Sequence, residues 1–152
     1  MKRFKFRLET VEKVRKRNEE EAMSALVEAR RRLSELVAKG EALQSGLEQA
    51  LVRREQLGSR PTGAGAFLVE DDFIAGNKLR IAQLAIQVQK AQRAVEKAQR
   101  FFLHARRQLH VIVTLREREY EAFKKEQQRL EQKRVDEMVT MRSGRMQQEE
   151  SA

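Results

Sequence analysis

The stretch LGSRPTGAGAFLVEDDF, Leu57 to Phe73, decides the fold, because nowhere else is a long helical pattern clearly broken. Gly58 can close a preceding helix. Pro61, the single proline of the chain, lacks an amide donor and disfavours helix in the residue before it. Gly63 and Gly65 add backbone freedom, and Asp71 or Asp72 offers a carboxylate to cap a second helix. Phe67, Leu68 and Val69 are apolar inside this break. They either fold back onto the helix tip or form part of a docking surface.

Upstream of the break, apolar residues recur in steps of three and four. Phe4, Leu8 and Val11 begin a stripe that continues through Ala22, Ala25 or Leu26, Ala29, Leu33, Leu36, Leu43, Leu47, Ala50 and Leu57. Arg15, Asn18, Gly40 and Arg54 interrupt it, and the count slips by one residue between Ala25 and Leu33. Downstream the stripe is cleaner: Ile81, Leu84, Val88, Ala91, Val95, Ala98, Phe102, Ala105, Leu109 and Ile112. Leu115, Phe123, Leu130, Met138 and Met141 carry it on less regularly. A repeat near 3.5 held this long requires a partner helix along its length. With one break between two stripes, the chain is its own nearest partner.

The expected fold is therefore all-α: two long helices in an antiparallel coiled-coil hairpin. Residues 1–152 are read as one such hairpin. Helix one covers about 4–57, the connecting segment 58–71, helix two about 72–142, and 143–152 form a frayed tail. Helix two then outruns helix one by roughly 20 Å, so that Arg129 to Arg142 projects beyond the pairing.

Composition agrees with this reading. Charged residues make up 36% and aromatics 5%, with no tryptophan, a profile of long helices rather than of a compact globule. Cysteine is absent, which removes disulfide and thiol chemistry. No apolar run is long enough to span a membrane, and the basic opening MKRFKFRLETVEKVRKR is not followed by the apolar region of a signal peptide.

Sites for chemistry are not apparent. His104 and His110 stand six apart, off the i,i+4 spacing that would place them on one helix face, and no cysteine or patterned carboxylate joins them. Gly63 to Phe67 has glycines but lacks the lysine and hydroxyl residue of a phosphate-binding loop. Glu117, Glu119 and Glu121 fit a solvated helix face with intrahelical ion pairs. No catalytic residue, cofactor or metal is expected.

Charge is more informative. Lys2, Arg3, Lys5, Arg7, Lys13, Arg15, Lys16 and Arg17 face only Glu9 and Glu12 in the opening segment. Lys124, Lys125, Arg129, Lys133, Arg134, Arg142 and Arg145 outnumber the acids between residues 124 and 145. In an antiparallel hairpin both segments belong to the same, positively charged end. A net charge of +9 suits nucleic acid, an anionic membrane surface or an acidic protein, or simply keeps a rod in solution. Against nucleic acid, the apolar stripe runs through the basic segment itself, and Asn18 follows it, unlike the basic region of a parallel zipper. Against a membrane helix, the apolar face is narrow.

Two end motifs add a family resemblance. FKFRLETVEKVRKRNEEEA, Phe4 to Ala22, resembles the start of the flagellar FliJ family, soluble coiled-coil proteins of the flagellar type III export apparatus. LEQKRVDEMVTMR, Leu130 to Arg142, resembles the family's closing pattern at Glu131, Gln132, Lys133, Asp136, Glu137 and Arg142. The resemblance implies a hairpin similar to the stalk of rotary ATPases, with no activity of its own. It implies docking on the export ATPase hexamer through Phe4, Phe6 and Leu8 together with Lys133, Arg134, Asp136, Glu137 and Arg142. It further implies contact with the cytoplasmic domain of the gate protein FlhA, with Phe73 and Ile74 matching an aromatic-aliphatic pair, and a link to export chaperones. The family's late-helix-one tyrosines have no counterpart in EALQSGLEQALVRREQL, Glu41 to Leu57. On this reading the protein is cytoplasmic and peripheral to the membrane-bound apparatus, with no nucleic acid expected. A generic coiled-coil scaffold or chaperone, and a basic nucleic-acid-binding rod, are the alternatives.

Overall fold

The computed structural model describes residues 3–152, so Lys2 of the basic opening lies outside the described residues. Two helices account for almost all of them: α1, Glu9–Gly58, and α2, Ala64–Glu150. They form an antiparallel coiled-coil hairpin. Contacts divide it into two compact units, one of residues 3–17 with Arg106–Ala152, the other Asn18–Ala105. Along α1 the apolar stripe is weakest where these units divide, with the half-buried Arg15 and Glu19 standing between Val11 and Ala22.

Within the second unit the seam is regular. Ala22, Leu26, Ala29, Leu33, Leu36, Gly40, Leu43, Leu47 and Ala50 step by four and three without a slip. Leu26 is 3% exposed while Ala25 faces solvent, so the irregularity expected near Ala25 does not occur. On α2 the seam begins earlier than Ile81, at Ile74 and Asn77. Leu47, Ala50 and Ile74 form a cluster of buried residues, with Ile81 packed against it. Gly40 lies under Leu84: a Cβ there would stand 3.4 Å from Leu84 Cδ2. Gly46 lies against Asn77, whose Nδ2 would be 3.6 Å from such a Cβ. Asn77 is buried, and its Oδ1 accepts a hydrogen bond from Arg80 Nη1 at 3.4 Å. A buried polar residue at a coiled-coil seam favours one register over its neighbours, because any slip leaves it unsatisfied among apolar side chains.

The helix boundaries differ from the sequence reading at three places. α1 starts at Glu9 rather than near Phe4. Arg3, Lys5 and Arg7 would oppose the positive end of a helix dipole, whereas Glu9 and Glu12 complement it in the first turn. α2 starts at Ala64 rather than Asp72, leaving a connection of Ser59 to Gly63. There Thr62 Oγ1 donates to the carbonyls of Leu57 and Arg60. Asp71 is therefore no cap. It receives Arg54 across the hairpin, while Glu70 receives Arg53 at 3.0 Å. At the far end α2 continues to Glu150, because residues 143–150 offer no proline, and Ser143 Oγ and Ser151 Oγ donate back to the carbonyls four residues earlier.

The hydrogen bond from Arg54 holds the Asp71 carboxyl below the usual carboxylate range. A lowered folded-state value contributes stability above the ordinary carboxylate range and loses it as pH falls through the lowered value. Asp71→Asn should accordingly melt slightly below the parent at neutral pH, with the two melting curves merging in acid. Circular dichroism melts at the two pH values check this, and a gap that persists in acid would contradict it.

Candidate functional site

The opening Arg3 to Leu8 alternates basic and apolar residues, and its exposure alternates in step. Arg3, Lys5 and Arg7 are exposed, Phe4 and Leu8 half-buried, and Phe6 is 5% exposed. Period two over Arg3 to Phe6 is the signature of an extended segment, in which every second side chain points the same way. A turn over Arg7 and Leu8 follows, with Glu9 N donating to Phe6 O at 3.4 Å. These residues are thus not the first rungs of the helical stripe but a strap lying outside it. The first bond of α1 follows, with Glu12 N donating to Leu8 O at 2.9 Å.

The strap is seated on α2. The Phe4 ring meets Tyr120 edge-on with centroids 5.2 Å apart, and Phe123 at 5.5 Å with planes inclined by 51°. Lys124 Nζ stands 4.9 Å from the Tyr120 ring centroid and pairs with Glu121 at 2.9 Å. Eight residues beyond Phe4, Glu12 takes two hydrogen bonds from Arg116 Nη1, at 3.0 and 3.2 Å. Tyr120 escaped the sequence reading, although its spacing of three from Phe123 is the signal that would have found it.

The other half of the expected docking end stands apart from the strap. Lys133 lies ten residues past Phe123, about 15 Å along the helix. Lys133, Arg134, Asp136, Glu137 and Arg142 all belong to a stretch, residues 131–150, in which every residue is exposed. Lys133 pairs loosely with Glu137 at 4.0 Å, one turn along the same helix. Val135, Met138, Val139, Met141 and Met146 are more than half exposed among these charges. The structure therefore joins Phe4 to Tyr120 and Phe123, while the charged set lies on the exposed turns beyond them.

At the hairpin tip, Phe73 and Ile74 separate. Phe73 is 43% exposed with the Arg53 guanidinium 5.6 Å over its ring, whereas Ile74 is turned inward against Leu47 and Ala50. Among the described residues no cluster of histidine, cysteine and acidic side chains could hold a metal ion. No described helix is long and apolar enough to cross a membrane.

No curated protein matches the chain. A solved structure of a Chlamydia trachomatis protein, CT670, described as a YscO homologue, aligns over 96% of this chain and 99% of its own, at 19% identity and a TM-score of 0.48. The family profile of the flagellar FliJ protein matches residues 4–148, from the first aromatic of the strap almost to the end of α2. The match spans far more than half of the sequence, and the chain belongs to the flagellar FliJ family.

Proposed function

We propose that the protein docks its positively charged end on the hexameric export ATPase, promotes the assembly or activity of that ring, and couples it to the export gate. Membership of the FliJ family makes it a non-enzymatic component of the flagellar type III export system, and docking is the step beyond that membership. The observation that carries the reading is the exposed stretch 131–150, which leaves Met138, Val139 and Met141 in water beside Lys133, Arg134 and Arg142. Apolar side chains bared together on an amphipathic helix suit a partner's groove. The excess of basic residues in Arg3 to Arg17, in the same unit, steers this end toward an acidic opening. Phe4, Phe6 and Leu8 belong to the same docking end, with Phe4 seated on α2 against Tyr120 and Phe123 just before the exposed turns begin. Phe73, exposed at the tip, is the contact offered to the cytoplasmic domain of FlhA, with Ile74 holding it in place from the core. Export chaperones are further partners, met where the protein works, in the cytoplasm at the periphery of the membrane-bound apparatus.

The test is stimulation of the purified export ATPase. Met138→Glu with Met141→Glu should reduce stimulation about tenfold or more while helical content is unchanged. Phe73→Ala should weaken co-purification with the FlhA cytoplasmic domain and leave stimulation intact. Full stimulation by the double variant would refute docking through α2. Retention on plain DNA at physiological salt would favour the nucleic-acid alternative instead.

A further inference from the structure

α2 carries a second apolar stripe, on the side turned away from the hairpin seam. Leu68, Ala75, Leu79, Ala82 and Ile86 all face solvent, with Leu68 63%, Leu79 61% and Ile86 57% exposed. At 3.6 residues per turn the five fall within about 60° of one another, roughly opposite the seam of Ile74, Asn77, Ile81 and Leu84. From Ala75 onward their spacing of four and three is that of a coiled-coil seam. Leu79 and Ile86 occupy one core position, held one heptad earlier by the exposed Asp72, and Leu68, Ala75 and Ala82 the other. Large residues alternating with alanines leave holes into which the knobs of another helix fit. A face used only for solubility would not repeat this pattern over three turns and more.

Charge identifies the occupant. Continuing along the same face come Arg93, Lys97 and Arg100, all exposed, with Lys90 beside them. Among the described residues Arg93 and Lys97 make no ion pair, and Arg100 has only a loose contact to Glu96 at 3.8 Å. We infer that this outer face of α2 binds an amphipathic helix of another protein, whose apolar stripe covers Ala75 to Ile86 and whose acidic residues meet Arg93, Lys97 and Arg100. A second copy of this chain fits poorly. Each copy carries a net charge of +9, and parallel copies would set each basic trio against its own twin. The face includes neither Phe73 nor the last turns of α2, so it stands or falls independently of docking on the ATPase and gate.

The experiment uses the full chain and a labelled synthetic helix of about three heptads, with leucine and alanine at its core positions and glutamate on its flanks. A second peptide replaces each glutamate with lysine. Fluorescence anisotropy should show saturable binding of the acidic peptide and none of the basic one. Leu79→Glu with Ile86→Glu, and separately Arg93→Glu with Lys97→Glu, should each weaken binding about tenfold or more, with unchanged helical content. Absence of saturable binding, equal binding of the two peptides, or indifference to either double variant would overturn the inference. So would a dimer in sedimentation, or binding to phosphatidylglycerol vesicles, that Leu79→Glu with Ile86→Glu abolishes. Those outcomes assign the face to a second copy or to a membrane.

Discussion

Phe6→Ala is expected to free the opening strap from α2 and to destabilise its unit by about 3 kcal/mol. Among the described residues of that unit Phe6 is the buried apolar one, 5% exposed, so truncation leaves a cavity that neighbouring side chains fill only in part. Its loss also weakens the seating of Phe4, whose contacts with Tyr120 and Phe123 depend on the strap lying in place. Aromatic pairs of this kind add about 0.5–1.5 kcal/mol beyond the area they bury. Hydrogen exchange locates the effect. Protection should fall in residues 9–17 and 106–127, while amides around Leu47, Ala50 and Ile74 keep theirs. Lys5→Ala is the control, because alternation points Lys5 to solvent and its removal should cost almost nothing. If Lys5→Ala loosened the unit as much as Phe6→Ala, the period-two strap would be the wrong description.

The strap also marks where the sequence could be read and where it could not. Phe4, Leu8 and Val11 satisfy the steps of a helical stripe, so a helix from Phe4 was a consistent reading. Phe6 was the residue that reading left off the face, and it is the one most buried, while Val11 is 36% exposed. Two periodicities overlap at Phe4 and Leu8, and only tertiary burial separates them. A similar choice arose at Ala25 or Leu26, where the larger side chain takes the core position and restores an unbroken repeat. The hairpin itself was plain, because Pro61 and the glycines around it end one strong stripe before another begins. The start of α2 was less so. Gly65 looks like a loop residue, yet a helix over it is favoured once Arg53 and Arg54 meet Glu70 and Asp71 across the turn. The charged residues expected at the docking end, Lys133 to Arg142, lie on exposed helix. Their separation from the strap depends on pairing register, which no single stripe determines.

Ala50→Leu should separate the helices at the buried cluster of Leu47, Ala50 and Ile74 and lower the melting temperature more than any surface change in the second unit. Ala50 is 0% exposed, and it packs with Leu47 and Ile74 where Gly46 one turn earlier lets the two backbones approach Asn77. A seam built from Gly46, Ala50 and Asn77 has no room for a branched side chain of four carbons. Forcing one in costs about 1–3 kcal/mol through displaced side chains and a widened helix spacing. The widening reaches one turn further, where Arg53 with Glu70 and Arg54 with Asp71 span the two helices. Both pairs should lengthen, so the small pH dependence attached to Asp71 should vanish in this variant although Asp71 itself is untouched. Thermal melts of Ala50→Leu and of its Asp71→Asn double variant check both statements together. An unchanged melting temperature in Ala50→Leu would mean that the helices are not held closely at Ala50. A pH dependence equal to the parent's would mean that the ion pairs do not follow the seam.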